Sequence, residues 1–122
     1  MLGTNPMVIL VDDFAPSLHL HARVLRDRGW KVREADCAET ARRLVREKPP
    51  KLMLLDVHLP DTNGFALCRE LRAEHPEIIV VMTSATYRDE ASRVSAMYAG
   101  AADYLCEPIS AESLVQVVKR YL

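Results

Sequence analysis

The stretch LMLLDVHLPDTNG, residues 52–64, decides how the chain folds. It begins with four consecutive apolar residues, which is the pattern of a strand buried on both faces of a sheet. Asp56 follows this run directly, and Pro60, Asn63 and Gly64 then mark a loop. In parallel sheets, ligands bind outside the carboxyl ends of the strands. Asp56 is therefore the first residue to consider for chemistry.

Short apolar runs alternate with longer helical patterns on both sides of this stretch. Strands are predicted at residues 7–11, 30–35, 52–55, 78–82 and 104–105. Helices are predicted at residues 16–28, from 38 to the Pro49-Pro50 pair, at 64–74, at 88–99, and from Ser110 to the end. Five strands and five helices in strict alternation predict an α/β fold with a parallel sheet, right-handed crossovers and helices on both faces.

Most of these helices carry apolar residues at the spacing of one helical face. In the fourth helix, Ala91, Val94 and Tyr98 are predicted to share one face. Gly29 and Gly100 are predicted to end the first and fourth helices, and Ser110 to cap the last one.

Length and composition limit the classes of protein that fit. The 122 residues suit a single domain over residues 1–122, and a net charge of −1 gives no sign of a nucleic-acid partner. The longest apolar run near the start, residues 7–11, is far too short to cross a membrane. Cys37, Cys68 and Cys106 lack metal or redox spacing and are predicted to be reduced, which indicates a cytoplasmic location without membrane contact.

Acidic residues follow two of the predicted strands. Asp12 and Asp13 end the first strand and Asp56 ends the third, so the three carboxylates are expected to meet at one edge of the sheet. Carboxylates brought together repel unless a cation lies between them, and oxygen ligands favour a hard cation such as Mg²⁺, or Mn²⁺. The alternative is that the Asp12-Asp13 pair only caps the first helix.

From residue 7 to residue 122, the chain resembles the receiver domains of bacterial two-component response regulators. The resemblance rests on the acidic pair, on an aspartate 43 residues after Asp13, and on two spaced motifs. These motifs are Asp-x-x-x-Pro-x-x-x-Gly at Asp56, Pro60 and Gly64, and Gly-Ala-x-x-Tyr at Gly100, Ala101 and Tyr104. The resemblance implies a doubly wound, flavodoxin-like (βα)5 fold with strand order 2-1-3-4-5.

The resemblance also implies a role for each site residue. Asp56 is the phosphoacceptor, which takes a phosphoryl group from a histidine kinase or phosphotransfer protein. Asp12, Asp13, Asp56 and the backbone carbonyl of His58 hold Mg²⁺. The domain promotes its own phosphorylation and is not a turnover enzyme.

The resemblance further implies that a hydroxyl at the end of the fourth strand, about 28 residues after the phosphoacceptor, donates a hydrogen bond to the phosphoryl group. Ser84 fits best, because it stands 28 residues after Asp56 and a small residue follows it; Thr83 is the alternative. Tyr104 is the expected switch, turning inward when that contact forms. The signal is then read on the face of the fourth helix, fifth strand and fifth helix, by an output domain or a second copy of the chain.

One position departs from the family. A Lys-Pro pair normally follows the fifth strand, and here the pair is Glu107-Pro108. The family pattern implies that the Glu107-Pro108 bond is cis. Glu107 either turns to solvent, helps to bind the metal, or abolishes phosphorylation and leaves only a docking module. A Glu-Pro pair with a Ser-Ala-Thr loop is similar to receivers of hybrid sensor kinases.

Two other functions compete with the phosphorylated receiver. The first is a pseudo-receiver, a protein-interaction module without phosphorylation; Glu107 favours it, and the intact carboxylates oppose it. The second is an aspartyl-phosphate phosphatase, which needs an aspartate two residues after the nucleophile. His58 occupies that position, so this function is disfavoured.

Overall fold

The computed structural model describes residues 7–86 and 89–122, in which strands and helices alternate. The strands are β1 (Met7–Val11), β2 (Lys31–Ala35), β3 (Leu52–Asp56), β4 (Ile79–Ser84) and β5 (Asp103–Cys106). The helices are α1 (Ala15–Asp27), α2 (Ala38–Glu47), α3 (Gly64–Glu74), α4 (Glu90–Tyr98) and α5 (Ala111–Tyr121). The predicted order of elements is confirmed, and the predicted start of α4 at Arg88 lies outside the described residues.

The five strands form one parallel sheet in the order β2-β1-β3-β4-β5, as predicted. Because β1 and β3 are neighbours near the middle of the sheet, the residues that follow them lie side by side. Asp56, the last residue of β3, pairs with Thr83 of β4, and Ser84 pairs with Cys106 of β5. This register brings the ends of β1, β3, β4 and β5 to one edge.

A hydrophobic core lies on each face of the sheet, because successive strand side chains point to opposite faces. Met53 and Leu55 pack with residues of α2, α3 and α4, whereas Leu52 and Leu54 pack with residues of α1 and α5. Every residue of β3 is buried. The continuous apolar run in the sequence therefore records burial on both faces, as expected for a central parallel strand.

Helix ends follow the local sequence signals. Asn63 accepts hydrogen bonds from the backbone N–H groups of Phe65 and Ala66, and Ser110 accepts one from Ser113, so both cap their helices. Gly29 and Gly100 have φ angles of +96° and +101°, a region that glycine adopts without steric cost. The predicted cap at Ser110 and the predicted stops at Gly29 and Gly100 are confirmed.

The three apolar residues predicted to share a face of α4 do so, but that face is not buried. Ala91, Val94 and Tyr98 all lie on the solvent side, and 85% of Tyr98 is exposed. The buried residues are Ala96 and the C-cap residue Ala99, which belong to the same core as Tyr104. Small side chains let the helix pack close to the sheet, so the larger apolar residues are left outside.

Within the described residues, no helix is long and apolar enough to cross a membrane. Cys37, Cys68 and Cys106 are free thiols.

Candidate functional site

The carboxylates of Asp12, Asp13 and Asp56, here called the acidic cluster, meet at the carboxyl edge of the sheet. Their ligand oxygens all lie within 4.8 Å of one another. Asp12 and Asp56 are buried, each with 7% of its surface exposed, and Asp13 is exposed. Helix α1 has no side-chain cap, so capping does not explain the acidic pair. The predicted convergence of the three carboxylates is confirmed.

The acidic cluster concentrates negative charge in a partly buried place. Burial, followed by the charges of Asp12, Glu107 and Asp13, raises the pKa of Asp56 to about 7. The pKa of Asp12 is also raised, first by burial and then by Asp13, although the Phe14 N–H donates to Asp12 at 2.9 Å. A bound cation would relieve this repulsion. Three carboxylate oxygens at this separation are hard ligands that fit Mg²⁺ or Mn²⁺.

The raised pKa of Asp56 gives a testable pH dependence of stability. An aspartate in the unfolded chain has a pKa of about 3.9. Because the pKa of Asp56 is about 7 in the folded protein, Asp56 keeps its proton between about pH 4 and pH 7 when folded and loses it when unfolded. We therefore expect the free energy of unfolding of the metal-free protein to fall as pH rises through this window. Asp56→Asn should lose this part of the dependence, and urea denaturation with EDTA at about pH 5 and about pH 8 measures it. If the free energy of unfolding depended on pH in the same way in both proteins, the pKa of Asp56 would not be raised in the folded state.

The β3–α3 loop, residues 57–63, closes over the end of β3. His58 and Asn63 pair across its base, and the Gly64 N–H donates to the Val57 carbonyl at 2.7 Å. The His58 N–H points to the Asp56 carboxylate, with a donor–acceptor distance of 3.4 Å. The loop backbone thus contacts the Asp56 carboxylate directly, and a metal contact from the His58 carbonyl remains a prediction.

Thr83 and Ser84 lie on opposite faces of the sheet at the end of β4, and both are buried. Thr83 lines a small cavity with Asp12 and His21. Ser84 lies on the Tyr104 side, where its hydroxyl accepts a hydrogen bond from the Thr86 N–H at 3.1 Å. Each hydroxyl is therefore near the carboxyl edge, and the assignment of Ser84 to the phosphoryl group remains a prediction.

Tyr104, the expected switch residue, is turned inward and is only 4% exposed. Burial raises the pKa of its hydroxyl, while side-chain hydrogen bonds with Ser84 and with Ser92 of α4 act in the opposite direction. This arrangement connects the end of β4 to α4 through one side chain.

Glu107 follows β5 and is half-buried beside the acidic cluster. Its bond to Pro108 is cis, as predicted, and its N–H donates to the Ser84 carbonyl at 2.8 Å. Burial and then the charge of Asp12 raise the pKa of Glu107, and Glu107 in turn raises the pKa of Asp56. Glu107 therefore acts on the site electrostatically rather than lying free in solvent. It is not among the described carboxylates whose oxygens cluster within 4.8 Å.

His21 is not among the predicted site residues, and it lies on α1 near both Asp12 and Glu107. It lines the small cavity with Asp12 and a groove with Glu107. Burial lowers its pKa, while the charge of Asp12 and a hydrogen bond with the Ile109 backbone raise it. Its place one residue before the buried Ala22 was the available signal, since that spacing puts it at the margin of the inward face.

A five-stranded parallel sheet in this order, with a partly buried carboxylate cluster at its carboxyl edge and a buried tyrosine in β5, defines the receiver class of signalling domain. Comparison with known proteins agrees: the chain belongs to the response regulator receiver domain family, whose model matches residues 8–119.

Curated relatives are about one-third identical to this chain in sequence. The transcriptional regulatory protein GltR of Pseudomonas aeruginosa is 35% identical over 126 residues, covering 100% of this chain and 51% of GltR. The photosynthetic apparatus regulatory protein RegA of Rhodovulum sulfidophilum is 32% identical over 114 residues, covering 93% of this chain and 61% of RegA. The chain therefore spans about half to three-fifths of these relatives, which are regulators rather than turnover enzymes.

Solved structures show the same fold over nearly the whole chain. The receiver domain of NtrX from Brucella abortus has a TM-score of 0.88 at 34% identity, with 94% of this chain and 97% of that chain covered. The BeF3-activated DrrB receiver domain has a TM-score of 0.88 at 29% identity, with 97% of each chain covered. The chain is a receiver domain of two-component signalling.

Proposed function

We propose that this domain accepts a phosphoryl group on Asp56 in an Mg²⁺-dependent reaction, from a histidine kinase or a phosphotransfer protein. The observation that carries the proposal is the acidic cluster: a buried carboxylate at the end of β3 with two further carboxylates within 4.8 Å. Such a cluster places a cation-binding site and an oxygen nucleophile side by side, as Mg²⁺-dependent phosphoryl transfer to a carboxylate requires.

The proposed step is an in-line displacement at phosphorus. A carboxylate oxygen of Asp56 attacks, the bond from phosphorus to the donor imidazole nitrogen breaks, and that nitrogen recovers the electron pair. Asp12, Asp13, Asp56 and the His58 carbonyl would hold Mg²⁺, which supplies positive charge to the transferring oxygens. Ser84, or Thr83 on the other face, would donate a hydrogen bond to the phosphoryl group.

We further propose that the signal leaves through α4, β5 and α5. The Tyr104 hydroxyl interacts by hydrogen bonding with Ser84 near the site and with Ser92 on α4. These contacts support Tyr104 as the link that couples phosphorylation to the position of α4. Val94, Met97 and Tyr98 leave an apolar strip exposed on α4, with 44%, 42% and 85% of their surfaces exposed. An output domain or a second copy of the chain would cover this strip.

The partners and setting follow from the same proposal. We propose that residues 1–122 act as one receiver domain in the cytoplasm, for which the three free cysteines are suited. The net charge is −1, so we propose that this domain itself binds neither nucleic acid nor a membrane surface. The relatives named as transcriptional regulators are longer than this chain, and we assign any output activity to the parts that this chain does not match.

Incubation with a small phosphodonor tests the proposal. With Mg²⁺ present, intact mass spectrometry should show one added phosphoryl group, and with EDTA it should show none. No addition under any metal condition would favour the pseudo-receiver, for which the negative charge of Glu107 beside Asp56 is the supporting observation.

The acidic cluster should also bind metal without phosphate. We expect Asp13→Asn to weaken Mg²⁺ binding by about tenfold, because it removes one of three clustered carboxylates. Asp27→Asn, an exposed change at the far end of α1, is the matched control and should leave the affinity unchanged. Isothermal titration calorimetry measures both, and equal affinities for Asp13→Asn and wild type would refute the metal site.

A further inference from the structure

Helix α2 is capped by a residue distant in sequence. Its N-cap residue, Cys37, makes no side-chain cap. Instead, the two carboxylate oxygens of Asp61 accept hydrogen bonds from the backbone N–H groups of Ala38 at 2.9 Å and Glu39 at 3.0 Å. N–H groups of the first helical turn have no carbonyl partner within the helix, and a negatively charged acceptor satisfies them well.

Asp61 lies near the tip of the β3–α3 loop, whose backbone contacts the acceptor Asp56. The base of this loop is closed by the His58–Asn63 pair and by the hydrogen bond from Gly64 to Val57. Asp61 provides a second attachment at the tip, 23 residues away in sequence from Ala38. The loop is thus fixed at two places, and its tip is fixed to α2.

An ion pair joins α2 to α3, the helix that follows this loop. Arg42 of α2 donates to both carboxylate oxygens of Glu70 on α3, at 2.6 and 3.0 Å. Helix α3 begins where the loop ends, at Gly64. Asp61 and Arg42 therefore connect α2 to the tip of the loop and to the helix that follows it.

We propose that Asp61 is a positioning residue for phosphoryl transfer, which holds the β3–α3 loop so that the backbone of His58 stays against Asp56. This inference rests on the proposed phosphorylation of Asp56. Hydrogen bonds from Ala38 and Glu39 lower the pKa of Asp61, so its carboxylate stays charged over the working pH range of the site. Loss of the tip attachment leaves the loop held only at its base, and small displacements of reacting groups have large effects on rate.

A simpler role for Asp61 is to stabilise α2 as a cap. Both roles predict that Asp61→Ala lowers the urea midpoint, so stability alone does not separate them. Cys37→Ser separates them, because serine at the N-cap can accept a backbone N–H of α2 from within the helix. The double variant Cys37→Ser/Asp61→Ala then has a capped α2 and a loop without its tip attachment.

The experiment compares wild type, Cys37→Ser, Asp61→Ala and the double variant. For each, the urea midpoint, the Mg²⁺ affinity and the phosphorylation rate at saturating Mg²⁺ and limiting phosphodonor are measured. We expect Asp61→Ala to phosphorylate about tenfold more slowly than wild type. The double variant should regain stability but stay slow, while Cys37→Ser alone should react at the wild-type rate.

Two results would overturn the inference: a wild-type rate in Asp61→Ala, or a rate that returns together with stability in the double variant. If Asp61→Ala does not fold, Asp61→Asn takes its place with a smaller expected slowing, because it loses the charge and one of the two acceptor oxygens. If wild type itself accepts no phosphoryl group, the proposed function fails, and the Mg²⁺ affinity then tests separately whether Asp61 positions the loop against the acidic cluster. Weaker binding in the double variant than in Cys37→Ser supports that role, and equal binding refutes it.

Discussion

Gly64→Ala is expected to destabilise the protein by about 3 kcal/mol or more and to abolish phosphorylation. A Cβ atom at position 64 would lie 2.2 Å from the backbone oxygen of Asp56 and 2.8 Å from the Cα atom of Val57. Both atoms belong to the backbone at the end of β3, so neither can move without displacing the acceptor. Only glycine fits here because α3 starts directly against the backbone of Asp56, the proposed phosphoacceptor.

Urea denaturation and phosphodonor labelling measure the two effects, and Gly29→Ala is the matched control. At Gly29 nothing lies within 4 Å of the added Cβ, but φ is +96°. That change should cost about 1 kcal/mol through the backbone alone and leave labelling intact. A Gly64→Ala protein with wild-type stability and labelling would show that the β3–α3 contact is not needed.

Glu107→Lys is expected to change phosphorylation and metal binding in opposite directions. Glu107 raises the pKa of Asp56 and interacts with Asp12, so reversing its charge acts on both carboxylates. A lysine would attract the phosphoryl oxygens but would compete with Mg²⁺ for the same carboxylates. We expect phosphorylation at saturating Mg²⁺ to be about tenfold faster and Mg²⁺ affinity about tenfold weaker, on the order of 1–2 kcal/mol each.

Glu107→Gln isolates the charge from the ammonium group, since it removes the negative charge and keeps the shape. It should lower the pKa of Asp56 and weaken Mg²⁺ binding less than lysine does. Rates from stopped-flow labelling and affinities from calorimetry decide the matter. Unchanged values in both variants would make Glu107 a bystander.

The fold could be predicted from the sequence because its central strands are buried on both faces. Such strands read as unbroken apolar runs, as at residues 7–11 and 52–55, and turn residues separate them from the helices. Helix α4 could not be oriented in this way. Apolar periodicity shows which residues share a face, whereas close packing on the sheet selected the small residues Ala96 and Ala99 and left Val94 and Tyr98 outside.

The acidic cluster was equally predictable, since position at a strand end fixes where each carboxylate lies. The contacts of Asp61 with α2 and of His21 with the site were not, because both join segments that only tertiary packing brings together. The choice between Thr83 and Ser84 also depends on detail beyond sequence spacing. Both are buried at the same edge, on opposite faces of β4.

The account depends most on Asp56 as the phosphoacceptor, and reductive trapping tests this directly. Borohydride reduces an acyl phosphate to an alcohol but leaves a free carboxylate intact, so a phosphorylated aspartate becomes homoserine. After treatment with phosphodonor, Mg²⁺ and borohydride, peptide mass spectrometry should find homoserine at position 56 alone, and none anywhere in Asp56→Asn. Homoserine at Asp12, Asp13 or another aspartate of the wild-type protein, or phosphorylation that survives in Asp56→Asn, would contradict the account.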